Sequence, residues 1–235
     1  MKLIKTKNYK ELSKKAAELI ISEVKEKPNL VICFATGKTP RGIYKSLVKS
    51  YKKKKIDFSK VGCFNLDEYY PIEKSDKKSF YYYLVNRLFS KINIKKKNIN
   101  LLNGETKNPK LECLNYEKKI KKQGIDLAIL GVGVNGHIAF NEPGSSFSSK
   151  TRVVELAKET IKRNSGFYNK VPNKALTTGI NTIMKSKEII LLANGKSKSE
   201  AIKHLVKDKP DKSWPITFLK RHKNLIVIIS KEVLK

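Results

Sequence analysis

The stretch from Gly131 to Pro143 reads GVGVNGHIAFNEP and sets His137 five residues ahead of Glu142, behind glycines at 131, 133 and 136. A histidine moves protons readily near neutral pH, and a nearby carboxylate can orient it or share its charge. A second acidic pair, Asp67-Glu68, directly follows an apolar run. Two Gly-Lys-Ser/Thr triplets complete the candidates, at Gly37-Lys38-Thr39 and Gly195-Lys196-Ser197.

Two nucleotide readings fail on spacing. The glycines fit G-x-G-x-x-G, and Glu155 stands near the spacing of a ribose-binding acid, but a dinucleotide fingerprint must run straight into a helix. Here it runs into Pro143, Gly144 and a serine-rich series from Ser145 to Ser149, which is loop composition. A Walker loop needs a glycine five residues before the first glycine of each triplet, and those positions hold Ile32 and Ile190. Both triplets nevertheless lie between a strand pattern and a helix start. Such a junction offers unpaired backbone N–H groups and the positive end of a helix dipole, which suits a phosphate. Thr39 and Pro40 read as N-cap and first helical residue. Ser197 and Glu200 read as a capping box that sets Lys198 in the first turn. Each loop alone could be no more than a good helix cap; two of them in one sheet point to a phosphorylated small molecule.

The elements that must position these groups alternate along the chain. Tyr9 to Lys25 is an amphipathic helix with Leu12, Ala16, Leu19 and Ile20 on one face. Ile43, Tyr44, Leu47, Val48 and Tyr51 give the buried face of a second helix, and Ser79 to Phe89 reads as a tyrosine-rich third. Strands are expected at Leu30–Ala35, Val61–Asn65, Asn98–Leu102, Ile125–Leu130, Arg152–Leu156, Glu188–Ala193 and Asn224–Ser230. This alternation predicts an α/β fold, an open and mostly parallel Rossmann-like sheet with helices on both faces. Residues 1–235 read as a single domain without repeat or linker, and ligands are expected at the carboxyl ends of the strands.

Composition narrows the partners. The formal charge is +30, from 51 Lys and Arg against 21 Asp and Glu. Only five of the basic residues are arginines. Groove readers and phosphate clamps use the forked geometry of Arg, so dispersed lysines read as a solvated surface and no nucleic-acid partner is expected. The run Lys52 to Lys55 suits a helix C-terminus. Cys33, Cys63 and Cys113 read as buried free thiols, and the three histidines form no metal-ligand cluster, so no metal site is expected. No apolar run reaches the roughly 18–20 residues that span a bilayer, and no signal peptide is evident. A cytoplasmic protein without a membrane partner is expected.

Six blocks in order carry a family pattern: ATGKTP from Ala35, NLDEY from Asn65, the stretch Gly131 to Pro143, Thr151-Arg152, Val171-Pro172 with Ala175-Leu-Thr177, and Gly195 with Lys198. Together they resemble the glucosamine-6-phosphate deaminases, of the sugar-phosphate isomerase type. The resemblance implies conversion of glucosamine 6-phosphate and water to fructose 6-phosphate and ammonia, in amino-sugar catabolism, with no cofactor. It implies His137 as the ring-opening base, with Asn135 and Glu142 orienting it or sharing its proton, and Asp67 as the base for enolisation. It implies phosphate contacts from Thr36, Gly37, Lys38, Thr39 and Lys198. Many family members carry Asp where this chain has Asn135, and others also have Asn; here Glu142 is left the only carboxylate of that group. Gly166 stands where the family carries a phosphate-binding Arg, with Arg163 one turn before it. Of the family's effector pocket Ser145 and Arg152 match, while Val154 replaces a Lys, so activation by an acetylated amino-sugar phosphate is not expected. The alternatives are another 2-amino-sugar phosphate such as galactosamine 6-phosphate, 6-phosphogluconolactonase activity, or a non-catalytic sugar-phosphate sensor. Monomer and homo-oligomer both remain open.

Overall fold

Strands that are apolar on both faces belong inside a parallel sheet covered on both sides. The computed structural model, which describes residues 1–165 and 171–234, places them there. A wholly parallel six-stranded sheet has the order β1 (Lys2–Thr6), β9 (Leu225–Ser230), β8 (Glu188–Ala193), β5 (Leu127–Gly131), β2 (Val31–Phe34), β3 (Gly62–Asn65). From β2 the chain winds outward to β3, and from β5 it winds the other way through β8 and β9. The order therefore reverses between β2 and β5, the place where open α/β sheets form a ligand crevice beyond their strand ends.

The helices have local causes. Helix α1 (Tyr9–Glu26) is capped by the Asn8 side chain, which accepts from the Glu11 amide at 3.0 Å, and buries Leu12, Ala16, Ile20 and Val24. Each fully buried Leu or Ile side chain contributes about 1.5–3 kcal/mol. Helix α2 (Arg41–Lys52) follows β2, and α3 (Phe80–Arg87) is capped by Ser79. Helix α4 (Pro109–Gln123) starts on an Asn108 cap with Pro109 in its first turn, and stops at Gly124, whose φ of 74° suits glycine. Three shorter helices follow: α5 (Lys158–Ser165), α6 (Ile180–Met184) and α7 (Ser199–Lys207).

A second, smaller sheet departs from the expected outline. It is antiparallel, in the order β4 (Asp67–Tyr70), β7 (Lys174–Thr177), β6 (Arg152–Glu155), so the Arg152–Leu156 strand does not join the main sheet. The expected strand at Asn98–Leu102 does not form either. A 3-10 turn covers Lys96–Asn98, and only Ile99 bridges to Cys63. The Leu102 amide donates instead to the Asn65 side chain at 2.9 Å, which ends the ladder. The expected caps after β2 and β8 differ as well. Helix α2 begins at Arg41 without a side-chain cap from Thr39, and α7 begins at Ser199. A 3-10 turn over Lys196–Lys198 takes up Ser197, so no box with Glu200 closes. Cys33, Cys63 and Cys113 are buried and unpaired. No helix among the described residues is long and apolar enough to cross a membrane.

Candidate active site

The crevice between β2 and β5 opens into a cavity of about 720 Å³ lined by residues 36–39, Asp67, His137, Ser197 and Lys198. Four separated segments thus meet at the carboxyl edge of the sheet. Asn135 and Glu142 stand behind His137 rather than on the cavity wall. Gly166 and the Arg163 side chain lie outside the described residues.

Asp67 opens β4, one residue beyond β3. The intervening turn is held by Asn65, whose side-chain amide donates to the Asp67 carbonyl at 2.7 Å while its Oδ1 accepts from Leu102. Tyr69, Phe80 and Phe140 stack into an aromatic group on the same cavity wall. In this dry setting burial, reinforced by the neighbouring Glu68, pushes the Asp67 carboxyl up to about 8. Glu68 faces the other way. Its carboxylate accepts from the amides of Tyr69, Phe80 and Tyr81 and from the Ser79 hydroxyl, all at 2.8–2.9 Å. Burial pushes Glu68 up to about 7 against the pull of those four donors. The donors favour the charge on Glu68, so Asp67 is the member that keeps its proton longest.

The His137 ring lies against the backbone of Gly133, where a Cβ would come within 2.3 Å of it. Only glycine admits the ring there, and Gly136 turns the chain with φ 78°. Ala139 also adopts a positive φ, 51°, a strained state for alanine. Its neighbours hold it: the Phe140 amide donates to Thr177 at 3.0 Å, and the Asn141 side chain donates to the carbonyls of Ile138 and Thr178.

Behind the ring, His137 Nδ1 lies 3.2 Å from Glu142 Oε2, an electrostatic contact short of a well-directed hydrogen bond. Glu142 also accepts from Asn135 Nδ2 at 2.8 Å and from Thr160 Oγ1 at 2.6 Å. Burial would raise this carboxyl, but His137, Thr160 and Asn135 outweigh it and hold Glu142 at about 2. An ionised carboxylate only accepts, so the amide nitrogen of Asn135 must face it. Asn135 therefore reaches the ring through Glu142; its own oxygen accepts only from the His137 backbone amide, at 3.4 Å.

At the other end, the carbonyls of residues 37–39 are held by two tyrosines. Tyr83 donates to Gly37 at 2.6 Å, and Tyr9 contacts the Lys38 and Thr39 carbonyls while accepting from the Gly42 amide. With its carbonyls held by these two tyrosines, the loop stands on the cavity wall at the start of α2, where a helix N-terminus suits an anion. Thr160, Tyr9, Tyr83 and Asn194, whose buried Oδ1 has no partner among the described residues, were not singled out by sequence. The partners of Thr160, Tyr9 and Tyr83 lie many positions away, where no motif spacing reaches.

A family model described as glucosamine-6-phosphate isomerases/6-phosphogluconolactonase matches residues 5–228. Glucosamine-6-phosphate deaminases of Clostridium botulinum (strain Hall) and Clostridium novyi (strain NT) are each 49% identical, over 99% of this chain and 97% and 98% of theirs. A solved monomeric glucosamine-6-phosphate deaminase superposes with a TM-score of 0.97 at 38% identity, covering 100% of this chain and 99% of that one. The 6-phosphogluconolactonase of Thermotoga maritima superposes at 0.78 with 21% identity, over 98% and 99% of the two chains, a likeness of fold. On sequence and architecture together, the chain belongs to the glucosamine-6-phosphate isomerase/6-phosphogluconolactonase family.

Proposed function

We propose that the chain is a single-domain glucosamine-6-phosphate deaminase, converting glucosamine 6-phosphate and water to fructose 6-phosphate and ammonia. The observation that carries this reading is the pairing of a carboxyl tuned upward, Asp67, with a histidine backed by a carboxylate tuned downward, Glu142, in one cavity. Two proton-transfer stations are what this reaction needs and lactone hydrolysis does not. The relatives at 49% identity bear the same name.

His137 takes the proton of the anomeric hydroxyl and returns one to the ring oxygen, opening the sugar. Glu142 stabilises the imidazolium that forms between those transfers, and Asn135 and Thr160 hold Glu142 in place. Asp67 then removes the proton from carbon 2 of the open aldose. A carboxyl raised toward 8 is a far stronger base than a free one, and the substrate ammonium arriving beside it favours the ionised form. The enolamine is protonated at carbon 1 to give the 2-imine. Water adds at carbon 2 and ammonia leaves, so atoms balance without redox change. The loop 36–39 and Lys198 bind the phosphate. Sugar-phosphate chemistry and three unpaired thiols support a cytoplasmic enzyme.

The deciding experiment is a coupled ammonia assay with glucosamine 6-phosphate, galactosamine 6-phosphate and 6-phosphogluconolactone. Ammonia from the first, with little turnover of the third, is expected. Hydrolysis of the lactone without ammonia release, or binding without turnover, would overturn the reading.

A further inference from the structure

Arg41 is the only arginine on the cavity wall among the described residues. It is the first residue of α2, separated from the loop 36–39 only by Pro40, and its side chain is exposed and lines the cavity. Its guanidinium meets the Tyr83 hydroxyl, which donates in turn to the Gly37 carbonyl at 2.6 Å. Arg41 is thereby fixed to the flank of the loop through one intermediary. A guanidinium has five N–H donors in a planar fork, and the contact with Tyr83 occupies only part of that fork. The wall of that cavity also carries the loop 36–39 and Lys198. Lysines supply charge there as points; a guanidinium adds the two parallel donors that match two phosphate oxygens.

We propose that Arg41, positioned by Tyr83, is the bidentate contact to the substrate's phosphate. This rests on the amino-sugar phosphate reading for its substrate, but not for its chemistry, since any phosphomonoester in this cavity would meet the same groups. The position also answers the absence of an arginine at Gly166, because the guanidinium enters from α2 instead of from the segment after β6.

Two readouts test it on the full chain: binding of inorganic phosphate by titration calorimetry, and the KM–kcat split for glucosamine 6-phosphate. Arg41→Ala should weaken inorganic phosphate about tenfold or more and raise KM about ten- to a hundredfold, with kcat within about twofold. Arg41→Lys keeps the charge but loses the fork, so it should recover only part of the loss. Tyr83→Phe keeps Arg41 but removes its anchor, and should fall between wild type and Arg41→Ala. Inorganic phosphate bound equally by wild type and Arg41→Ala, or full recovery in Arg41→Lys, would overturn the bidentate assignment. Arg41-dependent phosphate binding in a wild-type protein that releases no ammonia would uphold Arg41 while overturning the deaminase reading.

Discussion

Asp67, buried on the cavity wall, and Glu142, half-buried behind His137, are carboxyls of one site, yet their environments push them in opposite directions. Asp67 sits against Tyr69 and its aromatic neighbours with the charge of Glu68 beside it, and rises to about 8. Glu142 gathers His137, Thr160 and Asn135, and falls to about 2. Burial acts on both in the same sense; the difference lies in the number of donors. One group is prepared to take a proton and the other to stay charged beside a histidine that takes one. Environments that drive titratable groups apart in this way are the basis of the acid–base roles proposed for them.

The sharpest way to break this contrast is Asp67→Asn, which keeps the shape and removes the base. Ammonia release should fall about 10²- to 10⁴-fold while substrate still binds. Stability should move the other way. A buried carboxyl with a raised pKa contributes stability that is fully present below the ordinary aspartate range and is lost as pH rises through about 8. The variant should therefore outlast wild type in urea at pH 9, and a destabilised variant there would contradict the raised pKa.

Asn135→Asp should act on the second region by placing a carboxylate where a donor now faces Glu142 at 2.8 Å. Glu142 is depressed, so its stabilisation is present above the ordinary glutamate range and is lost as pH falls toward about 2. With two carboxylates sharing the site, that loss should begin at higher pH and cost about 1–3 kcal/mol near pH 4. Urea midpoints across the acid range would show it. Unchanged midpoints would remove Asn135 from the set holding Glu142. The smallest effect is expected from Thr160→Val, which deletes one 2.6 Å hydrogen bond at nearly constant volume. A loss of about 1 kcal/mol, or a few-fold in kcat/KM, should appear in steady-state ammonia release.

Which of these features could be read in advance follows from how local their causes are. Strand β8 reads directly from Glu188 to Ala193 because its burial on both faces writes a continuous apolar run. Helix α1 reads from its 3.6-residue stripe. The second sheet does not, because β4 is Asp-Glu-Tyr-Tyr and β7 is Lys-Ala-Leu-Thr, four residues each without alternation. Their pairing is decided by tertiary packing. The same holds within the site. Asp67, His137 and Glu142 stand out in family blocks, but Glu68 takes its donors from residues 79–81 and Thr160 is eighteen positions from Glu142. The anchoring of residues 37–39 by Tyr9 and Tyr83 depends on helices packed from either side of the loop.

Burial is the larger cause of the Asp67 rise, and the Glu68 charge that reinforces it is the part a single substitution can remove. The pH dependence of kcat/KM for ammonia release, from about pH 5 to about pH 10, tests it in wild type and Glu68→Gln. The substrate ammonium titrates in the same range but is common to both enzymes, so only the shift between them counts. Wild type should show a rising limb with its midpoint near 8, as Asp67 loses its proton. Glu68→Gln should move that limb toward the ordinary carboxylate range, because the neighbouring charge is gone while burial remains. Superimposable limbs in the two enzymes would remove Glu68 as a cause of the rise, and a wild-type profile flat from about pH 5 upward would contradict the assignment of Asp67 as the raised base.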